Sequence, residues 1–344
     1  MEYNYKEFQI RLPMRKLPSC LSCLICLICL QTAHLSAVDR EYVSVVASHE
    51  VASFSTILAN DFKMRGKVAP QVDQINNKLG IDFLCAGNGL DTPDMLIASR
   101  QMTDAEKKAC EANQVTALEF HLGKDAAVLV SAKANKTFTL TPKHLYLALA
   151  KYVPDDTNKL VLNNHLFWSD IDPSLPDQRI IIYGPENEST ARKSLVESGV
   201  EAGCQSFEQL AKIAASNPRQ YDVICKSIRQ DGAWRTLPNV EMAIRSLLQN
   251  DDAIALMMNS DLLTYGSLLE PIAIDAVLPT AKTIDNNQYP LVQGIYLYVK
   301  QDHLKTVANV EQLMNMFLSH DVLDEGGSFE NWGFVSSLHE QSNG

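Results

Sequence analysis

Positive charge is what this chain of 344 residues is short of: 30 Lys and Arg stand against 41 Asp and Glu, for a net charge of −11. That deficit excludes a protein that grips nucleic acid by broad neutralisation of phosphates, so no nucleic-acid partner is expected. Apolar runs are scarce as well. A single segment near the N-terminus is apolar enough to enter a bilayer, which excludes a protein built mainly of transmembrane helices. Internal repeats, low-complexity tracts and Pro/Gly-rich joints are missing too. With 46% hydrophobic and 21% charged residues the composition is globular rather than disordered. The length suits two domains or one large one.

The usual signatures of bond chemistry are absent. The chain has no GxGxxG, Walker A loop, HExxH or GxSxG. Its histidines, at 34, 49, 121, 144, 165, 303, 320 and 339, show no ligand spacing, so neither a metal nor a cofactor is expected. The acid pairs Asp91/Asp94 and Asp155/Asp156 read as solvated turns or caps rather than acid–base pairs.

Cysteine is present, in two groups. Cys20, Cys23, Cys26 and Cys29 form CxxCxxCxxC, a spacing that invites an iron–sulfur site. Only Leu and Ile separate them, apart from one Ser, with no glycine or charge to shape a cradle. Arg11, Arg15 and Lys16 precede the run, and the small residues Ser36 and Ala37 follow it. A basic start, a short apolar stretch and a small-residue end describe a secretory signal peptide over 1–37, cleaved after Ala37. An uncleaved anchor is the alternative. A lipoprotein anchor is disfavoured, because no cysteine follows the small-residue box. Export makes Cys85, Cys110, Cys204 and Cys225 candidates for disulfides. Sequence neighbours suggest Cys85–Cys110 and Cys204–Cys225, with a reduced, buried pair as the alternative.

The mature chain alternates strand and helix patterns, which points to an α/β fold. Strands are expected at 42–47, 81–85, 95–98, 126–131, 179–183 and 291–300. Helices are expected at 51–64, from Thr103, from Thr141 with Pro142 in its first turn, from Thr190, and at 310–319. Four polar turns open helices after strands: Ser48-His49-Glu50, Gly87-Asn88-Gly89, Ser99-Arg100 and Ser189-Thr190-Ala191-Arg192. Free amides, hydroxyls and arginine forks can hold an oxyanion there. Ordinary N-capping is the competing reading of any single turn.

At these residues the sequence resembles the periplasmic phosphate-binding proteins that feed phosphate ABC transporters. The resemblance covers essentially the whole mature chain. It is clearest in CAGNGLDTPDMLIASRQMTDAEKKAC (85–110), LEFHLGKDAAVLV (118–130) and LTPKHLYLALA (140–150). WSDIDPSLPDQRIIIYGPENESTAR (168–192), CKSIRQDGAW (225–234) and YPLVQGIYLYVKQDH (289–303) continue it. It implies a type II periplasmic-binding-protein fold, with a ligand cleft between two lobes joined by crossing strands. Lobe 1 would be 38–120 with a return segment 286–344, and lobe 2 would be 121–285. The family's cysteine pairs agree with the two disulfides above. The resemblance further implies an exported, periplasmic monomer that captures inorganic phosphate and delivers it to the permease and ATPase subunits of a transporter. The alternative is a degenerate binding protein with an altered or lost ligand, and a phosphohydrolase using His49 and Glu50 is a more distant one.

The ligand set carried over is Ser48, Glu50, Val51, Asn88, Ser99, Arg100, Ser189, Thr190, Ala191 and Arg192. Two departures stand out. The family's first loop reads Gly-Ser-Ser-Thr, and here Ala47-Ser48-His49-Glu50 puts a carboxylate in place of the threonine. Its third loop reads Ser-Gly-Thr-Arg, and here Ser189-Thr190-Ala191-Arg192 has alanine in place of the threonine and threonine in place of the glycine. A carboxylate facing a dianion in a closed cleft is costly unless protonated or paired. Glu50 is therefore expected to turn away, to pair with Arg100 or Arg192, to accept the phosphate proton, or to change the ligand.

Overall fold

The computed structural model describes residues 40–135 and 138–336; the signal-peptide reading of 1–37 lies outside them. The element order begins β1 (Ser44–Ala47), α1 (Ala52–Met64), β2 (Gln71–Gln74), α2 (Asn77–Leu84), β3 (Met95–Ala98), α3 (Asp104–Ala112), β4 (Ala117–Ala132) and α4 (Pro142–Leu149). Then come β5 (Tyr152–Pro154), β6 (Leu160–Leu162), β7 (Ile182–Gly184), α5 (Thr190–Ser194), β8 (Trp234–Thr236), β9 (Ile254–Met258), β10 (Leu269–Pro271), β11 (Val292–Lys300) and β12 (Val335–Ser336), with further helices between.

Among the described residues, ten strands form one sheet. Eight follow the order β2-β1-β3-β11-β4-β9-β7-β8, while β10 and β12 pair with β4 off that path. Its flanks are parallel, β2-β1-β3 on one side and β9-β7-β8 on the other, and β11 and β4 join them antiparallel. The flanking strands β1, β3, β7 and β9 read as nearly continuous apolar runs because helices cover both faces. β4 is 16 residues long. Its first part pairs with β11 and its last part with β9 and β10, so this one strand serves both flanks. Gly123 lies where β12 crosses it. A Cβ there would sit 2.1 Å from the Val335 carbonyl oxygen, so no larger residue fits the crossing.

Among the described residues, buried apolar side chains gather in three clusters. One draws on residues between Ala126 and Leu291, plus Val335. A second combines Val43–Ile97 with Leu122 and Ile295–Phe334, and a third lies beneath α2 and α3. In α1, Phe54, Leu58 and Phe62 recur every fourth residue and are buried, whereas Ile57 faces outward at 45% exposure.

Local chemistry explains most boundaries. Thr103 and Glu106 form a reciprocal capping box that opens α3. The Thr141 hydroxyl accepts from His144 N, and Pro142 opens α4. The expected strand at 81–85 is instead the end of α2. The Asn76 side chain accepts from Leu79 N, and Gly80, Ile81 and Leu84 bury one helical face. The strand beside β1 is the polar edge segment β2, whose exposed residues carry no apolar signal. The strand expected at 179–183 begins only at Ile182.

Both disulfides form as expected. Cys85–Cys110 ties the end of α2 to α3, and Cys204–Cys225 ties the helical stretch after α5 to the helix Pro218–Cys225. Asp94 is a correction to the solvated-turn reading. It is fully buried, takes the Ser44 amide at 2.7 Å and His303 Nδ1 at 2.6 Å, and pairs with Arg40.

Candidate functional site

The loops after β1 and β3 meet the start of α5. Ser48, at the end of β1, is buried, and its amide donates to the Ile97 carbonyl in β3 at 2.9 Å. Ser99 follows β3 and is also buried. Their hydroxyls lie 3.1 Å apart. Thr190, from a part of the chain some ninety residues further on, brings its hydroxyl to 2.7 Å from Ser99 Oγ. A buried three-hydroxyl cluster results.

Glu50 closes this cluster. Its Oε1 accepts the Thr190 backbone N–H at 2.8 Å, and its Oε2 accepts the Ser99 hydroxyl at 3.0 Å. The carboxylate therefore neither turns away nor pairs with an arginine. It takes up an amide at a helix start and a hydroxyl, donor types that suit an oxyanion. Its charge also reaches Asp261, whose carboxyl is pushed up to about 6, mainly by burial, with Glu241 and Glu50 adding to the rise.

Asn77 is a participant the sequence reading missed. Its side-chain oxygen accepts the Ser99 amide at 3.0 Å, while Nδ2 donates to Ser99 Oγ at 2.9 Å and to Thr190 Oγ1 at 3.2 Å. It bridges the same two elements as Glu50. The signal was the pair Asn76-Asn77 after Ile75, a helix-opening sequence hidden by reading 81–85 as a strand.

The remaining expected ligands are placed differently. Val51 is buried, and its N–H goes to the Ser48 carbonyl at 3.1 Å. Ser189 caps α5 by accepting from Arg192 N at 3.2 Å, and Ala191 packs into the core. Asn88 lies in another loop, donating to the Gln114 carbonyl and to Asp302. Arg100 makes a two-point contact with Glu106, at 2.7 and 2.8 Å, which holds the Glu106 carboxyl down at about 2. Its guanidinium is thereby committed to the start of α3.

Arg192 is 7% exposed, and its guanidinium lies over the Trp234 ring at 4.2 Å from the centroid. Burial lowers its pKa to about 10. Of the ten residues expected at the site, the structure joins Ser48, Glu50, Ser99 and Thr190 by side-chain or backbone hydrogen bonds. Arg192 stands on α5 two residues beyond Thr190. Among the described residues, no group of three or more His, Cys, Asp or Glu is placed to hold a metal ion, and no helix is long and apolar enough to cross a membrane.

Residues 32–321 match the model of the PBP superfamily domain. The chain is 25% identical over 285 residues to the phosphate-binding protein PstS of Staphylococcus haemolyticus, covering 78% of each. Two solved structures share the fold. One is a possible phosphate-binding protein from Planctomyces limnophilus, at 20% identity and a TM-score of 0.58, covering 87% of this chain and 94% of that one. The other is a putative phosphate ABC transporter substrate-binding protein with bound phosphate from Clostridium perfringens, at 17% identity and a TM-score of 0.59, covering 86% and 99%.

Proposed function

The chain belongs to the PBP superfamily, with the α/β fold of type II periplasmic binding proteins, and on that footing we propose that it captures inorganic phosphate at the Ser48–Ser99–Thr190 cluster. The observation that carries this reading is the Glu50 carboxylate lodged there. An anion of the chain's own already takes the Thr190 N–H and the Ser99 hydroxyl. A site that satisfies a carboxylate with an amide and a hydroxyl is built of the donors an external oxyanion needs.

Phosphate enters by displacing Glu50, so affinity is weaker than the donor set alone would give. The hydrogen bonds that Glu50 accepts from Ser99 and Thr190, and those Asn77 makes with both, tie the elements around β1 and β3 to α5. We read this as a closed cleft between two lobes, 38–120 with 286–344 and 121–285, with β4 and β11 crossing between them. Opening breaks these bonds, and a phosphate bridging the same donors closes the lobes again. Capture and closure need no bond chemistry. Export through a signal peptide over 1–37 and delivery to a membrane permease complete the role.

Isothermal calorimetry on the full chain tests the reading. Saturable phosphate heat at micromolar to millimolar ligand, reduced by Ser99→Ala, supports it; no heat in that range sinks it. The second reading, a protein whose own carboxylate has replaced the ligand for good, is favoured by the same Glu50 contacts and predicts no Ser99-dependent heat.

A further inference from the structure

A cationic feature lies outside the Glu50 cluster. A cavity of about 610 Å³ is lined by Arg192, Arg229, Trp234, Asn187, Gln230 and Thr236 among others. That volume falls in the range of small-ligand sites. Neither it nor the adjoining cavity of about 350 Å³ is lined by Ser48, Glu50, Ser99 or Thr190. The smaller one shares Asn187, Arg192 and Gln230 with the larger and adds Lys193 and Lys226.

Arg192 and Arg229 are 7% and 4% exposed. Among the described residues, Arg192 Nη1 and Arg229 Nε have no hydrogen-bond partner. Arg229 Nη1 has only the Asp231 carboxylate, 3.3 Å away, and that acid is half exposed. Buried polar groups are normally satisfied, and an unpaired buried guanidinium is an expensive exception. Three acids also line these cavities, Glu186 and Glu188 the larger and Glu197 the smaller; all three are exposed, and Glu188 is paired with Lys193 at 2.8 Å.

The local structure also holds Arg192 in place. Its guanidinium stacks on Trp234, which limits the plane in which its fork can point. Trp234 in turn packs over Gly184 of the neighbouring strand β7, where a Cβ would come within 2.3 Å of the ring. Trp234 and Gly184 thus keep one guanidinium buried and oriented.

We propose that this cavity is a second anion site, taking a phosphoryl dianion between Arg192 and Arg229. Two guanidinium groups match a dianion in charge, and each offers planar, two-point contact to its oxygens. The dianion is either inorganic phosphate or the phosphoryl end of a small monoester, which the volume also admits. The proposal assigns to this cavity Arg192, which the resemblance places in the phosphate ligand set; capture at the Ser48–Ser99–Thr190 cluster is argued without it.

The test is calorimetry on the full chain with inorganic phosphate and with glycerol 3-phosphate, alongside tryptophan fluorescence. Arg229→Gln is expected to weaken binding at this site about tenfold or more while leaving the Ser99-dependent heat unchanged. Arg229→Lys keeps the charge without the fork and should fall between, which guards against a variant that merely misfolds. The fluorescence response should vanish in Trp234→Phe. A response to glycerol 3-phosphate identifies a monoester site; a response to inorganic phosphate alone identifies a second phosphate site. If neither ligand gives heat that depends on Arg229 at millimolar concentration, the proposal is overturned. If Ser99→Ala has no effect while Arg229→Gln abolishes binding, the cluster reading fails and this one survives.

Discussion

Replacing Glu50 with Thr removes an internal competitor and restores a hydroxyl of the kind the resembling family carries in this loop. The size of the effect follows from two contacts, Oε1 with the Thr190 N–H at 2.8 Å and Oε2 with the Ser99 hydroxyl at 3.0 Å. A hydrogen bond to a charged group contributes about 1.5–3 kcal/mol, so the pair holds about 3–6 kcal/mol before solvation of the freed carboxylate is counted. Water recovers much of that when Glu50 swings out. A residue of about 1.4–2.8 kcal/mol corresponds to 10- to 100-fold in affinity. Phosphate should therefore bind Glu50→Thr about 10- to 100-fold more tightly than the unaltered chain. Glu50→Gln should fall between, because an amide oxygen can still accept the Thr190 N–H without the charge. Calorimetric titration at one pH and ionic strength reads this directly, with sulfate titrated in parallel. Equal phosphate affinities within twofold would refute the competitor argument. Weaker binding by Glu50→Thr, with selectivity over sulfate lost, would instead make Glu50 the acceptor of the phosphate proton.

Arg100→Ala should leave phosphate affinity within twofold, since Glu106 holds that guanidinium; a tenfold loss by calorimetry would return Arg100 to the ligand set. Asp125 is buried and its carboxyl is pushed up to about 7, chiefly by burial. Its folded pKa lies above the unfolded one, so its stabilisation is complete below about pH 4 and lost as pH rises through about 7. At about 1.4 kcal/mol per pH unit the loss is on the order of 4 kcal/mol. Asp125→Asn should flatten this fall, read as the difference in melting temperature between the two proteins from pH 4 to 8. Replacing Cys204 and Cys225 with Ala opens a bridge spanning 21 residues and should lower unfolding free energy by about 3 kcal/mol in urea titrations.

Strong local signals made much of the fold legible in the sequence. Thr103 with Glu106, and Thr141 with Pro142, marked helix starts, and the apolar runs at 95–98 and 291–300 marked central strands. Where tertiary context decides, the pattern misled. IDFLC reads as a strand by composition, but the Asn76 cap and the burial of Gly80 against Leu96 and Val46 make it helical. QVDQ gives no strand signal, because an edge strand needs no apolar face. At the site, residue identities pointed to Ser48, Ser99 and Thr190, whose convergence comes from segments far apart in the chain. Nothing local could reveal that Arg100 would prefer Glu106, or that Asn77 would bridge Ser99 and Thr190.

The central claim is that Glu50 stands where the ligand belongs. A crystal structure of the chain soaked with phosphate tests it most directly. The account predicts phosphate on the Ser99 hydroxyl and the Thr190 N–H, with the Glu50 carboxylate displaced from both. Glu50 still bonded to Ser99 and Thr190, with phosphate found only elsewhere or not at all, would contradict it.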